Sequence, residues 1–102
     1  GSQQIFENQF TTTRNQIRFE VEQAFSSLGS NQKNIATATQ ALQQAEESLK
    51  LARLRFQAGV GTQTDVIQAQ TELARARGRR ITAIINYNRS LSSLRTATVL
   101  AE

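Results

Sequence analysis

One register governs most of this chain. Ile17, Val21, Ala24, Leu28, Asn31, Ile35, Ala38, Leu42, Ala45, Leu49, Ala52 and Phe56 follow one another in alternating steps of four and three, without a break. A strict 3.5-residue repeat is the mark of a coiled-coil seam, so the spacing predicts one long helix over residues 3–57. The same scheme returns over residues 63–101. There a large set (Val66, Leu73, Arg80, Tyr87, Leu94) interleaves with a small one (Ala69, Ala76, Ala83, Ser90, Ala97). A seam this narrow suits a two-helix hairpin far better than a globular core.

Between the two repeats lies Phe56-Gln57-Ala58-Gly59-Val60-Gly61-Thr62-Gln63-Thr64-Asp65-Val66. Either glycine can adopt the left-handed conformation that ends a helix without a Cβ penalty. Thr62 is a suitable cap for the next helix, and an acidic group three residues on suits its positive end. Glu or Gln is usual at that last place, so Asp65 matches the capping box imperfectly. Folding the chain at this tip sets Phe56 against Val66, Leu49 against Leu73, Ile35 against Tyr87 and Leu28 against Leu94. Alanine layers fall between them, as in Ala45 against Ala76. Two layers are polar: Asn31 with Ser90, and Leu42 with Arg80, whose methylene stem is expected to lie along the seam with its head in water. The expected fold is all-α, a long antiparallel two-helix coiled-coil hairpin. Residues 1–2 read as a cloning scar, 3–57 as the long helix, 58–62 as the tip and 63–101 as the second helix, in a single domain. The long arm overhangs by residues 3–19. Gly29 and Gly78 fall inside helices, where a close helix contact or a slight bend would explain them.

The residues absent from the chain limit its chemistry. Proline, cysteine, methionine, tryptophan and histidine are all missing. Without proline nothing forces a helix to break. Without histidine or cysteine the commonest general base and the softer metal ligands are gone. The 8 acidic residues are scattered over helix-surface positions. No catalytic residue, metal site or cofactor is therefore expected, and an enzyme is set aside. No apolar run approaches the roughly 20 residues of a membrane-spanning helix. No signal peptide is visible, but a scar at the start makes that silent about location.

The net charge of +4 keeps anionic partners in view without selecting them. Arg75, Arg77, Arg79 and Arg80, with Lys50, Arg53 and Arg55, make the tip half basic. A grip on RNA phosphates is one reading, as in the antiparallel coiled-coil arm of seryl-tRNA synthetase. A solvated face is favoured, because no aromatic residue interleaves the arginines for base stacking. A second apolar stripe, with Ile81, Ile84, Ile85 and Leu91 on one helix and Phe25, Leu51 and Leu54 on the other, lies beside the seam. A lone hairpin cannot cover it, so more helices are expected alongside, either in a hairpin dimer or in a wall of many hairpins.

The stretch Leu54-Arg55-Phe56-Gln57-Ala58-Gly59-Val60-Gly61-Thr62, followed by Asp65-Val66-Ile67-Gln68-Ala69-Gln70 and Leu73, closely resembles the TolC-type outer-membrane efflux proteins. The alanine-rich heptads from about residue 17 to 98 and the unequal arms resemble the same family. The match covers one hairpin of the family's two per protomer, and the family's β-strands are absent. The resemblance implies a periplasmic α-barrel of side-by-side hairpins in a homotrimeric exit duct. That duct would meet the hairpin of a membrane-fusion (adaptor) protein and couple through it to an inner-membrane pump, in efflux or type I secretion. Carried over by position, Gly59, Val60, Gly61 and Thr62 are the adaptor-facing tip. Asp65 falls where the family places an acidic residue at the pore constriction. Some relatives have a second aspartate three positions on; Gln68 stands there instead, which weakens the expectation of a strongly anionic, cation-binding constriction. An adaptor's own hairpin is a weaker match, since its Arg, Leu and Ser do not occur here in order.

Overall fold

The computed structural model describes the chain through residue 101, and its side chains through residue 100. Helix α1 spans Ser2–Gln57 and helix α2 spans Gln63–Ala101. They lie against each other in a rod of 85 × 18 × 13 Å. At about 1.5 Å per residue, α1 alone accounts for that length.

The seam follows the repeat. Leu49, Leu73, Ala76, Ala83 and Ala97 are buried, and Ser90 is buried with them. The remaining seam positions from Ile17 to Ala52, and from Val66 to Leu94, are half-buried. No described side chain is enclosed completely, since two helices cover only the inner stripe of each other. Burying a leucine such as Leu49 or Leu73 contributes roughly 1.5–3 kcal/mol. The alanines between such layers let the two backbones come close.

Phe56 departs from its seam expectation: it is 47% exposed. It stands in the last turn of α1, and beyond it lie an exposed glutamine, three small residues and a solvent-facing valine. Nothing there covers its outer side.

The two polar layers are each bonded. The Asn31 Nδ2–H donates to Ser90 Oγ, and the Ser90 hydroxyl donates to the Asn86 carbonyl at 3.0 Å. Among the described residues no buried side-chain N or O lacks a partner. At the other polar layer Arg80 is half-buried, and its Nε–H donates to Thr39 Oγ1 at 3.1 Å. The head therefore does not simply run out to water; a threonine beside the seam on α1 holds its inner N–H. Gly29 and Gly78 need no close contact within the hairpin, because a Cβ at either would meet nothing within 4 Å.

α1 runs past the end of α2. Ala97 and Leu100 lie level with residues 20–24 of α1, around Glu20 and Ala24. Before Ile17, which is half-buried beside Leu100 at the end of the seam, α1 continues as a single exposed helix. On α1, Ile5, Phe6, Phe10 and Phe19 are 60–75% exposed.

Candidate functional site

The tip is built by local hydrogen bonding. Ala58 keeps right-handed helical geometry, and Gly59 follows at φ 80°, the one positive φ among the described residues. The Gly59 N–H donates to the Phe56 carbonyl at 3.1 Å and the Val60 N–H to the Arg55 carbonyl at 2.9 Å. These two bonds make a Schellman end, which requires a left-handed residue at this place. The Gly61 N–H reaches the same Arg55 carbonyl at 3.0 Å.

The two glycines serve different needs. Gly59 supplies the positive φ. Gly61 supplies room: a Cβ there would lie 3.0 Å from the Arg55 Cβ and 3.3 Å from backbone atoms of Arg55 and Phe56. A Gly-x-Gly spacing was visible in the sequence, but the Arg55 contact behind it was not.

α2 opens with a reciprocal cap. The Asp65 N–H donates to Thr62 Oγ1, and the Thr62 N–H donates to Asp65 Oδ2, both at 3.1 Å. Aspartate thus completes the box that glutamate usually makes. Its carboxylate also lies in the first turn, where helix-end charge favours it. Asp65 therefore has a structural task of its own at the position tied by resemblance to a pore constriction. Gln68, one turn on, is exposed on the same side of α2.

Much of the tip's main chain is occupied internally. The carbonyls of Leu54, Arg55 and Phe56 accept from Ala58, from Val60 and Gly61, and from Gly59. Among the described residues, the N–H groups of Gln63 and Thr64 have no acceptor. Val60 projects at the apex, 70% exposed. The apex therefore presents an apolar knob on a hydrogen-bonded, small-residue reversal, rather than a row of open carbonyls.

The basic flank begins one to two turns away. Lys50, Arg53 and Arg77 rim a shallow groove with Leu54 on its wall and Glu46 at one end. Arg75 is paired with Glu72 at 3.2 Å, both well exposed. Exposed pairs of this kind contribute little to stability. Among the described residues no three His, Cys, Asp or Glu side chains are placed to share a metal ion, and no helix is long and apolar enough to cross a membrane.

Searches of curated proteins and of solved structures gave no match. A family model described as outer membrane efflux protein matches residues 1–98, nearly the whole chain and both helices with the tip between them. That span carries the tip motif and both heptads, so the hairpin belongs to the outer membrane efflux protein family, whose members are components of export channels.

Proposed function

We propose that this hairpin is part of the periplasmic α-barrel of a homotrimeric outer-membrane exit duct, and that its Gly59–Thr62 tip docks end to end on the hairpin of a membrane-fusion (adaptor) protein. Through that adaptor the duct would couple to an inner-membrane pump, in efflux or type I secretion. The reading rests on family membership and on one structural observation. The reversal is held rigid by its own backbone, with Val60 the large side chain standing out from it. A preorganised, low-relief apex lets another helical tip approach without ordering a loop first. The lateral stripe supports the barrel part of the reading: Phe25, Leu51, Leu54 and Ile81 are each more than half exposed on a hairpin that cannot cover them. Asp65 and Gln68 would then line the constriction, with Asp65 held in place by Thr62. A family of transport components gives the RNA-gripping alternative no support.

The test is cross-linking or pull-down with the cognate adaptor hairpin. Val60→Asp is the informative variant, because Val60 is exposed and no tip hydrogen bond uses its side chain. Gly59→Val and Gly61→Val would disturb the reversal itself and mix folding with docking. Loss of binding in Val60→Asp with unchanged helicity is expected. If folded Val60→Asp binds like the parent while Arg75→Ala/Arg77→Ala abolishes binding, the contact lies on the basic flank and the tip model fails.

A further inference from the structure

The two flanks of the seam differ in chemistry. On one flank Glu46, Arg53, Gln70 and Arg77 border the shallow groove, and the Arg80 Nε–H reaches Thr39 on the same side. Phe25, Ile84 and Leu91 stand at heptad steps from these residues, so this flank also carries much of the apolar stripe. On the other flank Glu20, Ser27 and Ser93 come together. Counting down α2 from Ser93 by heptads gives Asn86, Arg79, Glu72 and Asp65, so this second flank runs to the helix cap. Opposite them α1 offers Ser27, Asn34, Ala41 and Ser48. From Asp65 to Ser93 no large apolar side chain borders the seam on this side, which suits it to water rather than to another helix.

The charges on this polar flank are not evenly matched. Asp65 is engaged by the Thr62 N–H, and Arg75 is paired with Glu72 at 3.2 Å. Arg79, one turn further along α2, is exposed and belongs to no ion pair among the described residues. Ala41 stands across the seam from it and brings no acid. We propose that Arg79 is a cargo-facing residue of the duct, and that its copies around the homotrimer form a cationic ring in the lumen that favours anionic solutes. The proposal rests on the reading above, in which Asp65 lines the constriction. Arg79 lies two heptads on along the same flank, about 21 Å beyond Asp65, and so on the same side of the barrel wall. Rings of arginine in a pore favour anions, as rings of aspartate favour cations. Glu72 offsets Arg75 and leaves Arg79 as the net charge beyond the constriction. Gln68, where a second acid would stand, adds nothing to oppose it. A solute bearing carboxylate or phosphate groups thus meets a favourable potential once it has passed Asp65.

The test is the ion selectivity of the whole duct in a planar bilayer under a potassium chloride gradient. Arg79→Glu should lower the chloride-to-potassium permeability ratio about threefold at roughly 0.1 M salt, with a larger shift at lower salt. Arg77→Glu, on the other flank of the same helix, should leave the ratio unchanged. Both arginines are exposed, and circular dichroism of the hairpin checks that each variant stays helical. Arg79→Cys tests the placement separately. An anionic methanethiosulfonate should lower its ratio further, and a cationic one should return it towards the parent's. If neither reagent alters the current through Arg79→Cys, this flank does not face the lumen, and the placement of Asp65 at the constriction fails with the proposal. If the reagents alter the current but Arg79→Glu keeps the parent's ratio, the cationic ring is overturned and the duct reading stands. A protein that forms no conducting pore overturns both.

Discussion

The tip half and the overhang are built from one helix, yet only the first is held by its own chain. Around Leu49 and Leu73 the seam is closed, at 6% and 7% exposure, and the reversal is fixed by five backbone bonds and a reciprocal cap. Around Phe6 and Phe10 the same helix has no facing partner in the hairpin. A helix of this length without tertiary packing is marginal, so within this hairpin the overhang is the weaker half and the tip half the stronger. The difference shows that one continuous helix is held only as far as a facing stripe runs beside it.

The comparison is broken most sharply by charge. Leu49→Asp places an unpaired carboxylate in the closed seam and should cost about 3–5 kcal/mol, enough to melt the hairpin. Phe10→Asp should leave the melting temperature of the dilute chain nearly unchanged, because Phe10 lies outside the seam. Equal losses in thermal denaturation would mean that the overhang is as well held as the tip.

Next come the glycines of the reversal. Gly61→Val drives a branched side chain against Arg55, and Gly59→Val forces a branched residue to positive φ; each should cost about 1–3 kcal/mol. Chemical denaturation would show this as a lower midpoint at constant slope. The helix cap is smaller. Thr62→Ala removes the acceptor for the Asp65 N–H and should cost about 1 kcal/mol, with faster amide exchange in the first turn of α2.

The smallest effect has the opposite sign. Gly29→Ala and Gly78→Ala add a methyl group where nothing lies within 4 Å, and each should stabilise the isolated hairpin by about 0.5–1 kcal/mol. A loss of stability in the isolated chain would reveal a contact within the hairpin. A gain there, with a defect in the assembled duct, would place a neighbouring helix over these glycines.

What the sequence determined by itself is what periodicity and local chemistry carry. The unbroken heptad from Ile17 to Phe56 and its return from Val66 to Ala97 demand two helices with one facing stripe each. Two glycines flanked by those stripes demand a reversal between them. Those statements need only the pitch of a helix and the conformational freedom of glycine. Tertiary structure decided what depends on the path of the chain through space. It made Gly59 the left-handed residue and Gly61 the one pressed against Arg55. It turned the aspartate of an imperfect capping motif into a working partner for Thr62, and gave the Arg80 Nε–H to Thr39. It left Phe56 uncovered where the seam runs out, and used the carbonyls of Leu54, Arg55 and Phe56 within the turn. A repeat records which side of a helix faces its partner. It does not record how far each side chain reaches or which backbone group lies within hydrogen-bond distance, because those distances exist only once the chain has turned.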